Sequence, residues 1–274
     1  MKRAGTYQAG GPNRGRWTVA IGMVIYGMWL AFFLLAAVPA HTATDDSVEE
    51  RIVKANQAYK EDRFTDAVDL YRSVIDQGFE NGQIYYNLGN AYLRSRQLGQ
   101  AILQYQRARL LMPRDADLKF NLRYALDRTK DDVPDNRGAL YQAFFWLDEV
   151  NLTELFFGFM AVNILFWGLL SIRLFSKAEW SYYAFIVVLF LAVLAGASLG
   201  IKWYELHTDR RGVILAPEVN VLAGPDEKDT VLFKLHEGAI LDYERQEDDW
   251  ALIGLSDTKR GWIKAADIER ILLR

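Results

Sequence analysis

Two uncharged apolar stretches lie next to each other in the middle of the chain, and they constrain its architecture more than any other feature. Residues 155–172 and 180–201 contain no Asp, Glu, Lys or Arg. A bilayer core about 30 Å thick requires about 20 apolar helical residues, and a helix satisfies its own backbone polar groups in lipid. We therefore predict a hairpin of two transmembrane helices, residues 152–174 and 180–202. A pair of buried helices in a globular core is the alternative.

Two further features of these stretches favour a membrane. Gly, Ala and Ser recur through residues 192–200, and small residues let helices pack closely in lipid. Aromatic residues cluster at the ends of both stretches, as in the belts found at membrane interfaces. These aromatic residues are Phe144, Phe145, Trp146, Trp180, Tyr182, Tyr183, Trp203 and Tyr204.

The short loop between the two stretches, residues 175–179, predicts the topology. The loop cannot leave the membrane surface, and Arg173 and Lys177 place it in the cytoplasm by the positive-inside rule. Two water-soluble modules flank the hairpin, residues 45–130 and residues 208–274. Both are therefore expected on the non-cytoplasmic side.

The N-terminal residues predict the same topology independently. Four basic residues in the first 16 positions precede an apolar run over residues 17–38, and small residues spaced for a signal peptidase follow up to Ala40. Residues 1–44 are therefore predicted to be a secretory signal peptide. Because the apolar run is longer than that of a usual signal peptide, an uncleaved membrane anchor is the alternative.

The composition excludes several classes of function. The net charge of −3, without a cluster of Lys and Arg, argues against nucleic-acid binding. The chain has no Cys and only three scattered His, which argues against disulfides, thiol catalysis and metal sites. It has neither a Gly-x-Ser-x-Gly elbow nor a phosphate-binding Gly-rich loop. We expect no catalytic residues, no metal and no cofactor, and so a protein that is not an enzyme.

Residues 48–130 repeat with a period near 34, the length of a helix–turn–helix unit. The clearer copy begins at Gly82, and eight of its residues match the large, small and helix-ending positions of the tetratricopeptide pattern. The eight are Tyr85, Leu88, Gly89, Tyr92, Ala101, Tyr105, Ala108 and Pro113. The three tyrosines are expected in the core. The pattern predicts an all-α tetratricopeptide solenoid over residues 45–130.

Two weaker copies flank the clear one. The earlier copy is expected to lack one residue in its internal turn, near residues 61–63. A third, partial copy over residues 115–126 begins as a capped amphipathic helix without a second helix. We interpret it as the cap that covers the open face of the last repeat. Residues 131–151 are interpreted as a linker to the membrane.

The first helix of each repeat is expected to line a concave groove. Asn side chains there can bond an extended peptide through its backbone or its terminal carboxylate. The alternative is that Asn87 and Asn121 bond only the local backbone. The predicted groove residues are Tyr86, Asn87, Asn90, Arg94 and Asn121.

The C-terminal module, residues 208–274, has the pattern of a small all-β barrel. Short β-prone runs alternate with turn residues, as in small barrels. The runs are residues 213–216, 219–222, 231–235, 239–243, 250–253 and 261–263. Acidic residues crowd one hairpin, and a solvated face is the default interpretation of such a run.

The barrel sequence resembles the bacterial SH3 family. The resemblance lies in residues 219–225, 235–238, Asp249-Trp250 and 261–264. Such domains bind peptides or cell-wall fragments, or serve as rigid contact surfaces. Trp250 and Trp262 are the aromatic residues predicted at the SH3-like surface, with burial in the barrel core as the alternative.

The whole order of segments resembles the BatE-type proteins of the Bacteroides aerotolerance operons. Residues 85–92 and 117–127 are similar to that family's repeat segment. The resemblance implies a multi-pass protein of the bacterial inner membrane with both modules in the periplasm. It also implies work alongside von Willebrand factor A-type membrane proteins and, indirectly, a MoxR-type ATPase. It implies no catalytic residues.

Two functions therefore follow as expectations. The first is a non-enzymatic scaffold or adaptor in the lipid bilayer, which presents both modules to protein partners in a complex linked to envelope integrity or oxidative stress tolerance. The second is a cell-envelope anchor or sensor that binds peptidoglycan through its SH3-like domain.

Overall fold

The computed structural model describes Gly27 and residues 46–131, 144–175, 178–256 and 259–273. The chain forms two compact units. One consists of residues 1–41 and 153–199, and the other of residues 42–152 and 200–274. The predicted signal or anchor, the middle of the predicted linker and Lys177 lie outside the described residues.

Five α-helices form the first part of the second unit. They are α1 (Asp46–Lys60), α2 (Phe64–Ile75), α3 (Gly82–Arg94), α4 (Leu98–Leu111) and α5 (Ala116–Leu126). They run as two helical hairpins followed by a single helix. The side-chain oxygens of Asn81 and Asp115 cap α3 and α5 by accepting from the backbone N–H groups of Gln83 and Leu118.

The two hairpins have the same turn, and the expected one-residue deletion in the first is wrong. Asp62 and Arg96 stand 34 positions apart, and both have a positive φ, 58° and 61°. The helices before them end 34 positions apart, at Lys60 and Arg94, and the helices after them begin 34 positions apart, at Phe64 and Leu98. The helix pattern alone missed this register because the turn residues Glu61-Asp62-Arg63 and Ser95-Arg96-Gln97 share no chemistry.

The helical core consists of the residues that the repeat pattern predicts. Tyr85, Tyr92 and Tyr105 are buried, as is Leu88. Gly89 must be small, because a Cβ there would lie 2.6 Å from the ring of Tyr105.

The last part of the unit is a seven-stranded antiparallel sheet. Its strands are β1 (Arg211–Ile214), β2 (Glu218–Leu222), β3 (Val231–His236), β4 (Ile240–Glu247), β5 (Trp250–Ser256), β6 (Lys259–Lys264) and β7 (Ile268–Arg270), in the order β3-β2-β6-β5-β4-β1-β7. Each of the six predicted runs overlaps one of the first six strands. The seventh, β7, was not predicted because its three residues include Glu269 and Arg270.

The barrel packs directly on α4. Residues 101–108 of this helix are buried without interruption, and Val213 and Ile271 of the barrel belong to the helical core cluster. A Cβ at Gly99 would lie 2.5 Å from the backbone oxygen of Ile214. The barrel has a core cluster of its own, which includes Ile253 and Ile263, and Val213 and Ile271 join it to the helical core. The sequence did not predict this contact between the modules.

Two long apolar helices follow the helical array in the chain. They are α6 (Leu152–Phe175) and α7 (Glu179–Thr208), and a 3₁₀ turn (Phe145–Asp148) precedes α6. Each helix is long and apolar enough to cross a membrane, with a mean hydropathy of 2.1 and 2.7. Only 6% of the residues in the most apolar 18-residue stretch of each helix are buried, whereas core helices of a soluble protein are mostly buried.

Candidate functional site

A hydrogen-bonded pair links each tyrosine of a second helix to an asparagine of the first. In the first hairpin, the hydroxyl of Tyr71 donates to Oδ1 of Asn56. Nδ2 of Asn87, on the next hairpin, donates to the same oxygen at 3.3 Å. The Asn56 oxygen therefore accepts two bonds and joins three helices.

The same arrangement recurs 34 residues later. The hydroxyl of Tyr105 donates to Oδ1 of Asn90 at 2.7 Å, and Nδ2 of Asn121 donates to that oxygen at 2.9 Å. We call the six residues Asn56, Tyr71, Asn87, Asn90, Tyr105 and Asn121 the Asn–Tyr ladder. Its regular spacing means that the repeats are joined by polar contacts as well as by apolar packing.

Burial determines the protonation of the ladder tyrosines. Burial raises the pKa of Tyr71 to about 12, and it also raises the pKa of Tyr105. Both hydroxyls are therefore donors at neutral pH. Because the oxygens of Asn56 and Asn90 already accept two bonds each, their amide nitrogens are the groups with which these residues can contact a ligand.

A cavity of about 210 Å³ opens beside the ladder. Its lining residues are Asn56, Tyr59, Lys60, Tyr71, Asn87 and Asn90. The single charged side chain in this lining is Lys60, a cation. Amide donors around one cation suit the carbonyl oxygens or the carboxylate of an extended peptide.

The predicted groove residues divide into two groups. Asn87 and Asn90 line the cavity, and Asn121 bonds the hydroxyl of Tyr86 at 3.0 Å beside Asn90. Arg94 instead pairs with Asp62 at 3.2 Å, and its guanidinium lies 4.6 Å from the ring centroid of Phe64. Of the five predicted groove residues, Tyr86, Arg94 and Asn121 do not line this cavity.

Four lining residues were not predicted from the sequence: Asn56, Tyr59, Lys60 and Tyr71. The signal for Asn56 was available, because it precedes Asn90 by 34 residues just as Tyr71 precedes Tyr105. The expected deletion obscured that correspondence. Asn87 and Asn121 bond side chains of the ladder, and no bond to the backbone is seen for either in the described residues.

A second, larger cleft of about 580 Å³ lies on the barrel. The β2–β3 loop, the β4–β5 turn and the residues after β6 form it, and half-buried Trp250 contributes an aromatic wall. The lining residues are Pro225, Asp226, Glu227, Lys228, Asp249, Trp250, Lys264, Ala265 and Ala266. Lys264 and Glu227 form an ion pair in the lining of the cleft. The hydrogen bond to Glu227 raises the pKa of Lys264.

The prediction that Trp262 lies at the surface is wrong. Only 7% of Trp262 is exposed, and the guanidinium of Arg245 lies 5.4 Å from its ring centroid. Trp262 stands on β6, which pairs with β2 on one side and β5 on the other, at Leu222 and Leu252. Trp262 therefore has a neighbouring strand on each side. Trp250, in contrast, is the first residue of β5 and lies next to the β4–β5 turn.

Two glutamates of the acidic hairpin form ion pairs with arginines of the barrel. Glu244 pairs with Arg260 at 2.9 Å, and Glu247 pairs with Arg245 at 3.1 Å. These pairs agree with a solvated face. Among the described residues, no group of three or more His, Asp or Glu side chains is placed to bind a metal ion.

Comparison with protein families finds one match in the helical array and one in the barrel. Residues 82–115, which span α3 and α4, match the tetratricopeptide repeat. Residues 216–269, which span β2 to β7, match the bacterial SH3 domain. Comparison with curated proteins finds no match to the chain.

The chain therefore combines two interaction modules. The helical array, whose residues 82–115 match the tetratricopeptide repeat, contains the cavity beside the Asn–Tyr ladder, and the bacterial SH3 domain contains the cleft beside Trp250. Modules of these two kinds indicate binding of protein partners, and the SH3 domain adds peptidoglycan as a candidate ligand.

Proposed function

We propose that this protein is a non-enzymatic adaptor of the bacterial inner membrane, which binds an extended peptide segment of a protein partner in its helical groove. The observation that carries the proposal is the Asn–Tyr ladder. In the ladder, the side-chain oxygens of Asn56 and Asn90 each accept two hydrogen bonds, and both residues line the cavity. Their amide N–H groups are the donors that a ligand can use.

The membrane part of the proposal rests on the two apolar helices. We propose that α6 and α7 span the bilayer with the intervening loop in the cytoplasm, which places both modules in the periplasm. The resemblance to BatE-type proteins names the candidate partners, namely von Willebrand factor A-type membrane proteins and, indirectly, a MoxR-type ATPase.

Affinity capture from gently crosslinked native membranes tests the groove. The bait is the full chain, and the test variant is Lys60→Gln, which removes the groove cation at an exposed position. The control variant is Lys234→Gln, an exposed lysine of β3 that lines neither the cavity nor the cleft. We expect the Lys60 variant to lose most of a co-purifying membrane protein and the Lys234 variant to retain it.

Two outcomes would count against the groove. Equal recovery of the same partner with both variants would show that the groove is not the contact. Recovery of wall-synthesis proteins alone would favour the second candidate function, which is peptidoglycan binding.

The cleft beside Trp250 supports that second candidate. An aromatic wall can stack on a sugar ring, and the charged rim can bond the peptide stem of a wall fragment. The test is retention of the detergent-solubilised full chain on peptidoglycan sacculi. Trp250→Ala should abolish retention, whereas Phe120→Ala, an exposed aromatic on α5, should leave it unchanged.

The topology has its own test, because the chain contains no cysteine. A single Cys at Lys228 should react with a membrane-impermeant maleimide once the outer membrane alone is opened. Reaction only after the inner membrane is broken would place the barrel in the cytoplasm and overturn this part of the proposal.

A further inference from the structure

A buried lysine joins the two ends of the apolar segment within one compact unit. Lys202, near the end of α7, is 5% exposed. Its Nζ donates to the backbone oxygen of Leu147 at 2.9 Å and lies 3.5 Å from Oε2 of Glu205. A buried ammonium is costly unless it is paired and hydrogen-bonded. The 3₁₀ turn before α6 is therefore fixed to the last turns of α7.

Two further contacts join the residues just after this turn to the helical array. Nδ2 of Asn151 donates to the backbone oxygen of Leu111, at the end of α4, at 3.2 Å. Nζ of Lys119, on α5, lies 2.9 Å from both carboxylate oxygens of Glu149. Glu149 and Asn151, at the end of the predicted linker 131–151, therefore contact the array.

Three large aromatic side chains are exposed on these fixed segments. Phe145 is 73% exposed, Trp203 is 53% exposed and Tyr204 is 65% exposed. Trp203 and Tyr204 directly follow Lys202 on α7, and Lys202 is bonded to the short turn that begins at Phe145. Trp and Tyr in particular are enriched where a protein meets the headgroup level of a bilayer.

Chain continuity identifies the partner of these rings. Trp203 and Tyr204 directly follow the apolar stretch 180–201 on the same helix. At a rise of 1.5 Å per residue, they lie within about 5 Å of its end along the helix axis. Phe145 stands seven residues before Leu152, the first residue of α6. A surface at this point of the chain faces lipid headgroups if the apolar helices cross a bilayer.

We propose that Phe145, Trp203 and Tyr204 form a membrane-docking surface that enters the headgroup region, and that Lys202 positions it. The proposal rests on the transmembrane placement proposed for α6 and α7. It makes the array and the barrel a body docked on the membrane surface rather than a body on flexible tethers.

Depth measurements on spin labels test the proposal in the full chain. Single-Cys variants Phe145→Cys and Tyr204→Cys carry a nitroxide label in vesicles of phosphatidylethanolamine and phosphatidylglycerol. Collisions with oxygen and with a water-soluble nickel chelate report the depth of each label. Ile164→Cys, in the middle of α6, is the hydrocarbon control, and Asp226→Cys, on an exposed barrel loop, is the aqueous control.

The expected result is a headgroup depth at positions 145 and 204, between the depths of the two controls. If position 164 reports hydrocarbon but positions 145 and 204 match position 226, the docking surface is overturned while the transmembrane placement stands. If position 164 reports water, the transmembrane placement and the docking surface both fail.

A positioning role for Lys202 has a separate readout. Lys202→Met keeps an unbranched side chain of similar length and removes the hydrogen bond to Leu147. It should increase the mobility of the label at position 145 without changing the depth at position 164. Lys234→Met, at an exposed lysine of β3, is the matched control. An unchanged label at position 145 in the Lys202 variant would overturn the role of Lys202.

Discussion

A buried tyrosine hydroxyl needs a hydrogen-bond partner, and the Asn–Tyr ladder supplies one in each repeat. Tyr105 is fully buried, and its hydroxyl is bonded to Asn90. Asn90 therefore has a structural role in addition to its proposed contact with a ligand. The same reasoning applies to Asn56 and Tyr71 in the first hairpin.

The structural role of Asn90 can be measured by a double-mutant cycle. Asn90→Ala should lower the free energy of unfolding by about 2 kcal/mol, because it leaves the Tyr105 hydroxyl buried without an acceptor. Tyr105→Phe should cost less in the Asn90→Ala background than in the wild type. The measurement is urea denaturation of the full chain in detergent, and additive effects would show that the bond contributes nothing.

Asp209 connects α7 to β1 and makes the stability of this connection depend on pH. Its side chain is 8% exposed and contacts Arg211. Burial raises the pKa of Asp209, but the hydrogen bonds and the charge of Arg211 lower it more, so the pKa lies below the ordinary value of 3.8. The contribution of Asp209 to stability is therefore present above pH 3.8 and is lost as the pH falls through the lowered pKa.

Asp209→Asn should lower the free energy of unfolding by about 2 kcal/mol at neutral pH. The difference from the wild type should shrink as the pH falls below 3.8, where the wild-type carboxylate also becomes protonated. Urea denaturation of both proteins at neutral pH and below pH 3.8 measures the difference in the free energy of unfolding. Asp66→Asn, which removes an exposed ion pair with Arg63, is the control and should have little effect.

At the scale of elements, α4 explains why the two modules are one body. A tetratricopeptide second helix usually has an outer face in water. On α4, by contrast, the polar side chains of Gln104, Gln106 and Arg107 are buried. Arg107 donates to Glu269 at 2.7 Å and to the backbone oxygen of Arg270 at 2.9 Å. These polar residues looked solvated in the sequence, so the contact with the barrel could not be predicted.

Gly99 is the tightest point of that contact. Gly99→Ala should destabilise the unit by about 1–3 kcal/mol, because the new Cβ meets the fixed backbone of Ile214 at 2.5 Å. Gly200→Ala is the matched control, since its Cβ meets nothing within 4 Å, and it should be neutral or stabilising. Thermal denaturation followed by circular dichroism compares them, and equal melting temperatures for both variants would contradict the contact.

Across the whole molecule, local periodicity predicted the elements and not their assembly. The repeat spacing predicted the buried tyrosines, and the β-prone runs predicted six strands. Nothing in the sequence of Lys259–Lys264 indicated that β6 lies inside the sheet, and Trp262 was predicted at the surface. The residues that cross between modules, such as Asp131 with His236, are polar and far apart in sequence, and no local pattern pairs them.

Because Val213 and Ile271 of the barrel belong to the helical core, we expect the array and the barrel to unfold together. Hydrogen exchange in rising urea should give the same transition midpoint for the amides of α3 and of β5, because the array and the barrel open together. In Gly99→Ala the two midpoints should separate. Two distinct midpoints in the wild-type chain would show that the modules unfold independently.

The position of the barrel on α4 also decides how such a protein can change length over evolution. A repeat duplicated ahead of Asp46 would extend the ladder by one Asn–Tyr pair and leave every contact of α4, α5 and Asn151 in place. A repeat duplicated after Pro113 would separate α4 from α5 and so part Leu111 from Lys119, whose partners lie in residues 144–151. Lineages of this architecture should therefore vary in repeat number at the N-terminal end of the array and keep the last hairpin constant.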